Sequence, residues 1–402
     1  MDALPSDPNA MVLPPQEAEI PAPLGVYVHV PFCAHTCDFC AFYQEAPNRE
    51  ELLRYLQGMR AELASWEFPR RVDTVFWGGG TPGLLPPGDL ASLGEALLSR
   101  LPEPPQEWTV EMAPSTVKED KLRVLRDLGV TRISLGVQSF QEETLTALGR
   151  RHGLVSVRRA IDAIRRVGFT NLNLDLIFAI PGQPLESWKR DLREAVAVAP
   201  EHLSTYCLTF EEDTRLYLKL QQGVVQRREE DEEVAFYECS MDTLEEAGLP
   251  QYEISNFARP GFACQHNLNT WEMWEWVGVG PSAASQFGGR RFANPDSLPR
   301  WLEGLAGTRE RFVDVLELDP PTLVCDALIF GLRRNQGVDL AALRQRFPAV
   351  SLGPWEDLFT SWREAGLAEL QEPETLRLTR SGRMVADAIG LEILTRQRTM
   401  EE

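Results

Sequence analysis

The 402-residue chain has no stretch of 18 or more uninterrupted apolar residues, so nothing in it reads as a membrane span. Basic charge is in short supply. Sixty Asp and Glu stand against 40 Lys and Arg, a formal net charge of −20, and no concentrated basic patch offsets it. Such a surface is repelled by nucleic-acid phosphates and anionic lipid, so neither is an expected partner. The acidic run "RREEDEE" (227–233) is expected to be a solvated helix face or loop rather than a partner site. The first residues, "MDALPSDPNAMVLPPQEAEIPAPLG", lack both the basic start and the apolar centre of a secretory signal. Six prolines before Leu24 mark residues 1–23 as an extended, disordered arm. A cytoplasmic location is the expectation.

Seven cysteines are present, an odd number that argues against a disulfide framework in a reducing compartment. Cys207, Cys239, Cys264 and Cys325 are scattered and read as small buried hydrophobes. Cys33, Cys37 and Cys40 crowd into "PFCAHTCDFCAF" (31–42). No second CxxC pair exists to complete a zinc tetrahedron, and a thioredoxin-like CxxC would leave Cys33 unexplained. The third reading is a [4Fe–4S] cubane held by three thiolates, with one iron open to an outside chelator.

Short apolar runs alternate with helical periodicity over residues 25–215. The expected strands are 25–30, 72–77, 107–112, 131–137, 171–178 and 202–210. Gly129 and Gly168 stand where a helix end wants a left-handed residue, and Pro184 opens a helix carrying Leu185, Trp188 and Leu192. About six βα units are too few for an eightfold barrel, which predicts an α/β fold with an open or partial barrel. Strands buried on both faces of a parallel sheet normally read as continuous apolar runs. Here Thr109 with Glu111, Ser134 with Gln138, and Asn173 with Asp175 alternate instead, which places them on a lumen-facing side. The expected domains are a barrel over 24–250, an aromatic-rich extension packing on it over 251–315, and a smaller α+β C-terminal domain over 316–402. In the last, two helices precede a two-stranded wing.

The CxxxCxxC loop directly after the first strand resembles the radical S-adenosylmethionine (SAM) superfamily. "FWGGGTPGLL" (76–85), "ISLGVQSF" (133–140), "LGRRH" (148–152), "NLDLIFAIPGQ" (173–183), "QYEISNFARPG" (251–261) and "HNLNTW" (266–271) resemble segments of its oxygen-independent coproporphyrinogen III oxidase family. The resemblance runs from about Leu24 to the C-terminus and implies a partial (β/α)6 TIM-like barrel of the radical SAM type. It implies that Cys33, Cys37 and Cys40 ligate the cluster and that SAM chelates its open iron. Gly78, Gly79 and Gly80 would lie against the methionyl moiety, and Glu111 would bind the nucleoside. Tyr27 and Phe39 would pack against cluster or adenosyl. Thr81, Gln138, Arg150 and Asp175 would line the lumen, in part around a second SAM.

The departures narrow the subgroup. The oxidases extend the motif to CxxxCxxCxC and carry a long N-terminal arm; this chain has Phe42 in the last position and a short arm. A C-x-F ending resembles the HemW-type heme chaperones, which also carry HNxxYW. Here "HNLNTW" keeps His266, Asn267 and Trp271 but has Thr270 in place of tyrosine. Pro114 and Ala179 are further departures. The resemblance implies heme as a candidate ligand, with His266 either its iron ligand or a residue hydrogen-bonded within a turn, and with Trp271, Trp274 and Trp276 as flat apolar surface. Heme transfer to an accepting protein is the expected function, with flavodoxin or ferredoxin as electron donor. The alternative is an anaerobic coproporphyrinogen III oxidase or a related tetrapyrrole-modifying radical enzyme, so the resemblance leaves open whether the chain is an enzyme.

Overall fold

The computed structural model describes residues 22–401; the expected arm, except for Ala22 and Pro23, lies outside them. Six strands follow in order: β1 (Leu24–Val30), β2 (Thr74–Gly79), β3 (Glu107–Met112), β4 (Arg132–Gln138), β5 (Leu172–Phe178) and β6 (His202–Cys207). Each pairs in parallel with the next. The connections carry α1 (Arg49–Ser65), α2 (Pro87–Leu98), α3 (Glu119–Asp127), α4 (Glu142–Ala147), α5 (Leu154–Val167) and α6 (Leu185–Ala197). Val26, Val28 and Val30, Val75 and Trp77, and Trp108 and Val110 alternate onto the outer face, where they are fully buried under the helices. The other face of every strand looks inward. Gly168, at φ 95°, ends α5 in the left-handed conformation and lets the chain turn into β5.

Two features of the sheet were not read from the sequence. Gly78 and Gly79 belong to β2 rather than to a loop after it. The segment after residue 250 also supplies strands. After α7 (Arg215–Gln221) and α8 (Glu230–Glu246) come β7 (Gln251–Glu253) and β8 (Asn256–Ala258), then α9 (Gln265–Trp271) and β9 (Glu275–Val279). β10 (Ala284–Phe287), β11 (Arg290–Ala293), α10 (Leu298–Leu305) and β12 (Val313–Glu317) complete it. The 12-stranded order is β12-β11-β10-β9-β1-β2-β3-β4-β5-β6-β8-β7. β9 is a seventh parallel strand, on the free edge of β1, while β8 pairs antiparallel with β6.

Buried Glu62 fastens the β9 side to α1. Its carboxylate accepts from Gly280 N–H at 2.6 Å, Asn294 Nδ2 at 2.8 Å, Trp301 Nε1 at 3.1 Å and Arg311 Nη2 at 3.0 Å.

The C-terminal part has its own apolar core. It comprises α11 (Pro320–Gly331), β13 (Val338–Asp339), α12 (Leu340–Arg346), α13 (Gly353–Glu364), β14 (Ala368–Gln371), β15 (Thr375–Leu378), α14 (Arg380–Met384) and α15 (Ala386–Glu401). Its sheet, ordered β13-β15-β14, is antiparallel and has one strand more than the expected wing. Among the described residues no helix is long and apolar enough to cross a membrane. "RREEDEE" is solvated as expected, with five of its seven residues exposed, while Arg228 is pinned to the 180–183 turn by hydrogen bonds to the Ile180 and Gln183 carbonyls. Its guanidinium lies 4.8 Å from the Phe236 ring centre.

Candidate functional site

The cysteine loop leaves the C-terminal end of β1, the end at which barrel active sites are built. Cys33 N–H donates to the Glu45 carbonyl at 3.0 Å, and Asp38 N–H to the Leu148 carbonyl at 3.3 Å. Leu216 N–H reaches the Asp38 carbonyl, and Lys219 Nζ lies 2.6 Å from the Asp38 carboxylate. His35 Nε2 lies 3.0 Å from the Gly149 carbonyl. The loop is thus clamped to the end of α4 and to α7.

No disulfide is present among the described residues. The three thiols are half-buried, and burial raises the pKa of each. Opposing it are the Thr81 hydroxyl, 3.4 Å from Cys33 Sγ, the Phe42 backbone N–H at Cys40, and Arg150 at all three. Among the described residues no three His, Cys, Asp or Glu side chains are close enough for a single metal ion. A cubane is different, because each thiolate takes a separate iron. Three thiols converging from one loop beside a cation fit such a group. The Phe42 side chain is 69% exposed.

Beneath the loop, the glycines are held by close approach. A Cβ on Gly80 would stand 2.7 Å from the Phe32 carbonyl oxygen and 2.8 Å from that of Val30. Gly79 has φ +98°, and a Cβ there would lie 2.5 Å from the His29 ring. At Gly78 it would meet Glu111 Oε2 at 2.9 Å. The chain's own packing therefore excludes a side chain at all three positions.

Glu111 looks inward from β3. Its carboxyl is raised to about 8, chiefly by burial and then by Asp175, against Arg132 and the Gly79 N–H. Tyr27 stacks on Phe76 with ring centres 6.3 Å apart, and its hydroxyl lies 3.3 Å from His29 Nδ1. Phe39 packs in a small apolar cluster with Leu148, Ile177, Ile180, Leu208 and Leu216, with Arg150 5.6 Å from its ring centre. At Gln138 β4 has an irregular register and φ of 68°, the kind of local distortion that re-aims a side chain at a site. A Cβ on Gly136 would lie 3.0 Å from Gln138 Nε2 and 3.9 Å from Arg150 Nη2, so those two side chains share one place.

Asp175 is committed within the wall. It accepts from Ser134 Oγ at 3.0 Å and Asn173 Nδ2 at 2.8 Å. His202 Nδ1 and Ser204 Oγ bond the Asn173 side-chain oxygen Oδ1 in turn.

His266 is not with this group. It sits on α9 at the other end of the lumen, where a Cβ on Gly25 would lie 3.1 Å from its ring. Gly25 and Val30 lie five residue steps apart on β1, about 16 Å along the strand. His266 Nδ1 lies 2.9 Å from Thr74 Oγ1, its ring centre is 5.3 Å from that of Phe76, and burial lowers its pKa to about 4. Glu107 holds α9 in this place by accepting from Gln265 N–H and His266 N–H, each at 3.0 Å. The tryptophans are also less open than expected. Trp271 is covered by Phe330 and Arg333, with ring centre separations of 5.8 and 5.4 Å. Arg346 lies 4.3 Å over Trp274.

The family model "Radical SAM superfamily" matches residues 27–195. The chain is 30% identical to "Heme chaperone HemW" of Bacillus subtilis over 91% of its length and 97% of that protein. It is 32% identical to the protein of the same description from Lactococcus lactis over 81% of its length and 85% of that protein. The chain belongs to the HemW family of radical SAM proteins. The solved coproporphyrinogen III oxidase HemN of Escherichia coli, described as a radical SAM enzyme, superposes with a TM-score of 0.80 at 22% identity. That match covers 92% of this chain and 90% of that one and bears on fold.

For a HemW-family chain the superfamily implies a [4Fe–4S] cluster and SAM. Several inward-facing residues were not singled out from the sequence: His29, Arg132, His202 and Tyr206. His29 shares a face with Tyr27, and burial lowers its pKa to about 4. Arg132 is 2% exposed, and Tyr206, on β6, is 41% exposed. The signal was the same period of two that singled out Glu111 and Asp175. It was legible in "GVYVHV" and "TRISLGV" but easily passed over where the alternating residue was a lone histidine or arginine.

Proposed function

We propose that the protein binds heme and transfers it to a heme-accepting protein in the cytoplasm. Cys33, Cys37 and Cys40 hold a [4Fe–4S] cluster whose open iron takes SAM. What supports this reading most is the 30% identity to a heme chaperone across nearly the full length of both chains. Bound there, cluster and SAM supply one-electron cleavage of the sulfonium, with flavodoxin or ferredoxin as donor. The chain's own residues do the positioning. The Gly78–Gly80 backbone receives the methionyl group, Glu111 the ribose, and Tyr27 and Phe39 the flanks of cluster and adenosyl. Thr81 bonds a cluster cysteine, and Gln138, Arg150 and Asp175 line the lumen beyond. His266, on α9 at the end of the lumen away from the cluster, is the heme-side residue in this reading. The oxidase alternative rests on a likeness of fold alone, because the match to HemN is at 22% identity.

The test is an anaerobic titration of heme into the reconstituted protein. Saturable binding with a shifted Soret band, weakened in His266→Ala, is expected. Absence of saturable binding overturns the reading.

A further inference from the structure

A cavity of about 370 Å³ lies between the barrel and the C-terminal part, lined in part by Tyr206, Glu253, Asn256, Thr270, Trp271 and Arg333. It is a junction of three elements. The turn of the β7–β8 hairpin is tied to the loop after α11, with Ile254 N–H on the Arg333 carbonyl at 3.1 Å and Asn335 N–H on the Tyr252 carbonyl at 2.9 Å. The C-terminal end of α9 is tied to the same part, because Arg346 donates to the Glu272 and Met273 carbonyls at 2.9 and 2.8 Å.

The polar groups here are incompletely satisfied. Glu253 is 1% exposed; its Oε1 accepts from Ser255 N–H and Asn256 Nδ2, while Oε2 has no partner among the described residues. The indole Nε1 of Trp271, Arg333 Nε and Asn256 Oδ1 are likewise buried without partners. Buried polar atoms are rarely left unmatched, and four of them gather on residues that line this one cavity. Arg333 pairs through Nη1 with Asp387 at 2.6 Å, but Asp387 is 91% exposed. Solvent therefore weakens that pair and leaves the guanidinium with charge to offer.

We propose that this cavity is a carboxylate-binding subsite, in which Arg333 and the Trp271 indole N–H receive a carboxylate of the ligand the protein carries. The inference rests on the heme reading, in which that carboxylate is a heme propionate; the methionyl carboxylate of SAM is the other source of the same chemistry. Two N–H donors, Arg333 Nε and Trp271 Nε1, and a guanidinium charge suit an acceptor-rich anion. Asn267, Thr270 and Trp271 of "HNLNTW" line this cavity, whereas His266 does not. The motif therefore serves the cavity through its C-terminal half.

The test compares affinities of the anaerobically reconstituted full-length protein for heme and for heme dimethyl ester, whose propionates carry no charge. Wild type is expected to prefer the free acid by about ten- to a hundredfold, the range of a charge-assisted hydrogen bond. Arg333→Ala should bring the preference close to one while leaving ester affinity in place. Trp271→Phe, which removes the indole donor, should reduce the preference. Unfolding midpoints of each variant separate lost folding from lost recognition. Equal binding of heme and ester by wild type, or an unchanged preference in Arg333→Ala, overturns the inference while leaving heme binding intact. Binding of neither overturns the heme reading, and the inference with it. If Arg333→Ala instead weakens SAM and leaves the heme preference alone, the propionate assignment is overturned.

Discussion

Glu111 offers a prediction that links a pKa to a binding role. Its carboxyl titrates at about 8 in the fold, against an ordinary value of 4.5. At pH 7 such a group is about one-tenth ionised and at pH 9 about nine-tenths. If the carboxylate form accepts the hydroxyls of the SAM ribose, apparent affinity scales with the ionised fraction. The dissociation constant of wild type should therefore fall by about tenfold between pH 7 and 9. Glu111→Gln is neutral throughout and lacks this component. The assay is equilibrium dialysis of labelled SAM against anaerobically reconstituted protein, with wild type and variant run together, so that titration of SAM itself cancels in the comparison. The same group acts on stability. Native Glu111 holds its proton between pH 4.5 and about 8 while the unfolded chain has lost it. Its contribution to stability therefore declines as pH rises through that window, and Glu111→Gln should flatten the decline in urea unfolding. Parallel pH profiles of SAM affinity in wild type and variant would refute the assignment.

Single Cys33→Ala, Cys37→Ala and Cys40→Ala substitutions should each sharply lower bound iron and sulfide after anaerobic reconstitution, with the far-ultraviolet circular dichroism unchanged. Full iron content in any one of them would remove that cysteine from the ligand set. Gly80→Ala places a methyl 2.7 Å from a backbone carbonyl that cannot swing aside; impaired SAM retention is expected, measured by the same dialysis. Glu62→Ala deletes a fully buried carboxylate bonded to Gly280, Asn294, Trp301 and Arg311. A loss of about 3 to 5 kcal/mol in denaturant unfolding is expected, and a loss under 1 kcal/mol would show that α10 and the β9–β11 segment do not depend on it.

The parallel strands were legible because their outer faces carry Val, Leu, Ile and Trp at every second position, while helix-ending glycines such as Gly168 mark the connections. Polar residues at the alternate positions of β3, β4 and β5 gave the lumen. What was not legible was order in space. "WEWVGVG" reads as an aromatic run, and nothing local says that residues 275–279 will join the edge of β1, about 250 residues earlier in the chain. That pairing depends on Glu62 and on the capping of α9 by Glu107, contacts between residues far apart in sequence. The same limit applied to the site. Cys33, Cys37, Cys40 and the three glycines are local motifs and could be read directly. The separation of His266 from the cluster end follows from α9 plugging the opposite end of the lumen. The cavity beside Glu253 and Arg333 is assembled from three distant segments, none of which carries a motif for it.

The most direct test of the account divides one anaerobic preparation, reconstituted with iron, sulfide and SAM and supplied with reductant, between heme and coproporphyrinogen III. The heme chaperone reading predicts saturable heme binding, release of that heme to an apo acceptor, and no conversion of coproporphyrinogen. Coproporphyrinogen-dependent formation of 5′-deoxyadenosine with loss of carbon dioxide, and no saturable heme binding, would contradict it.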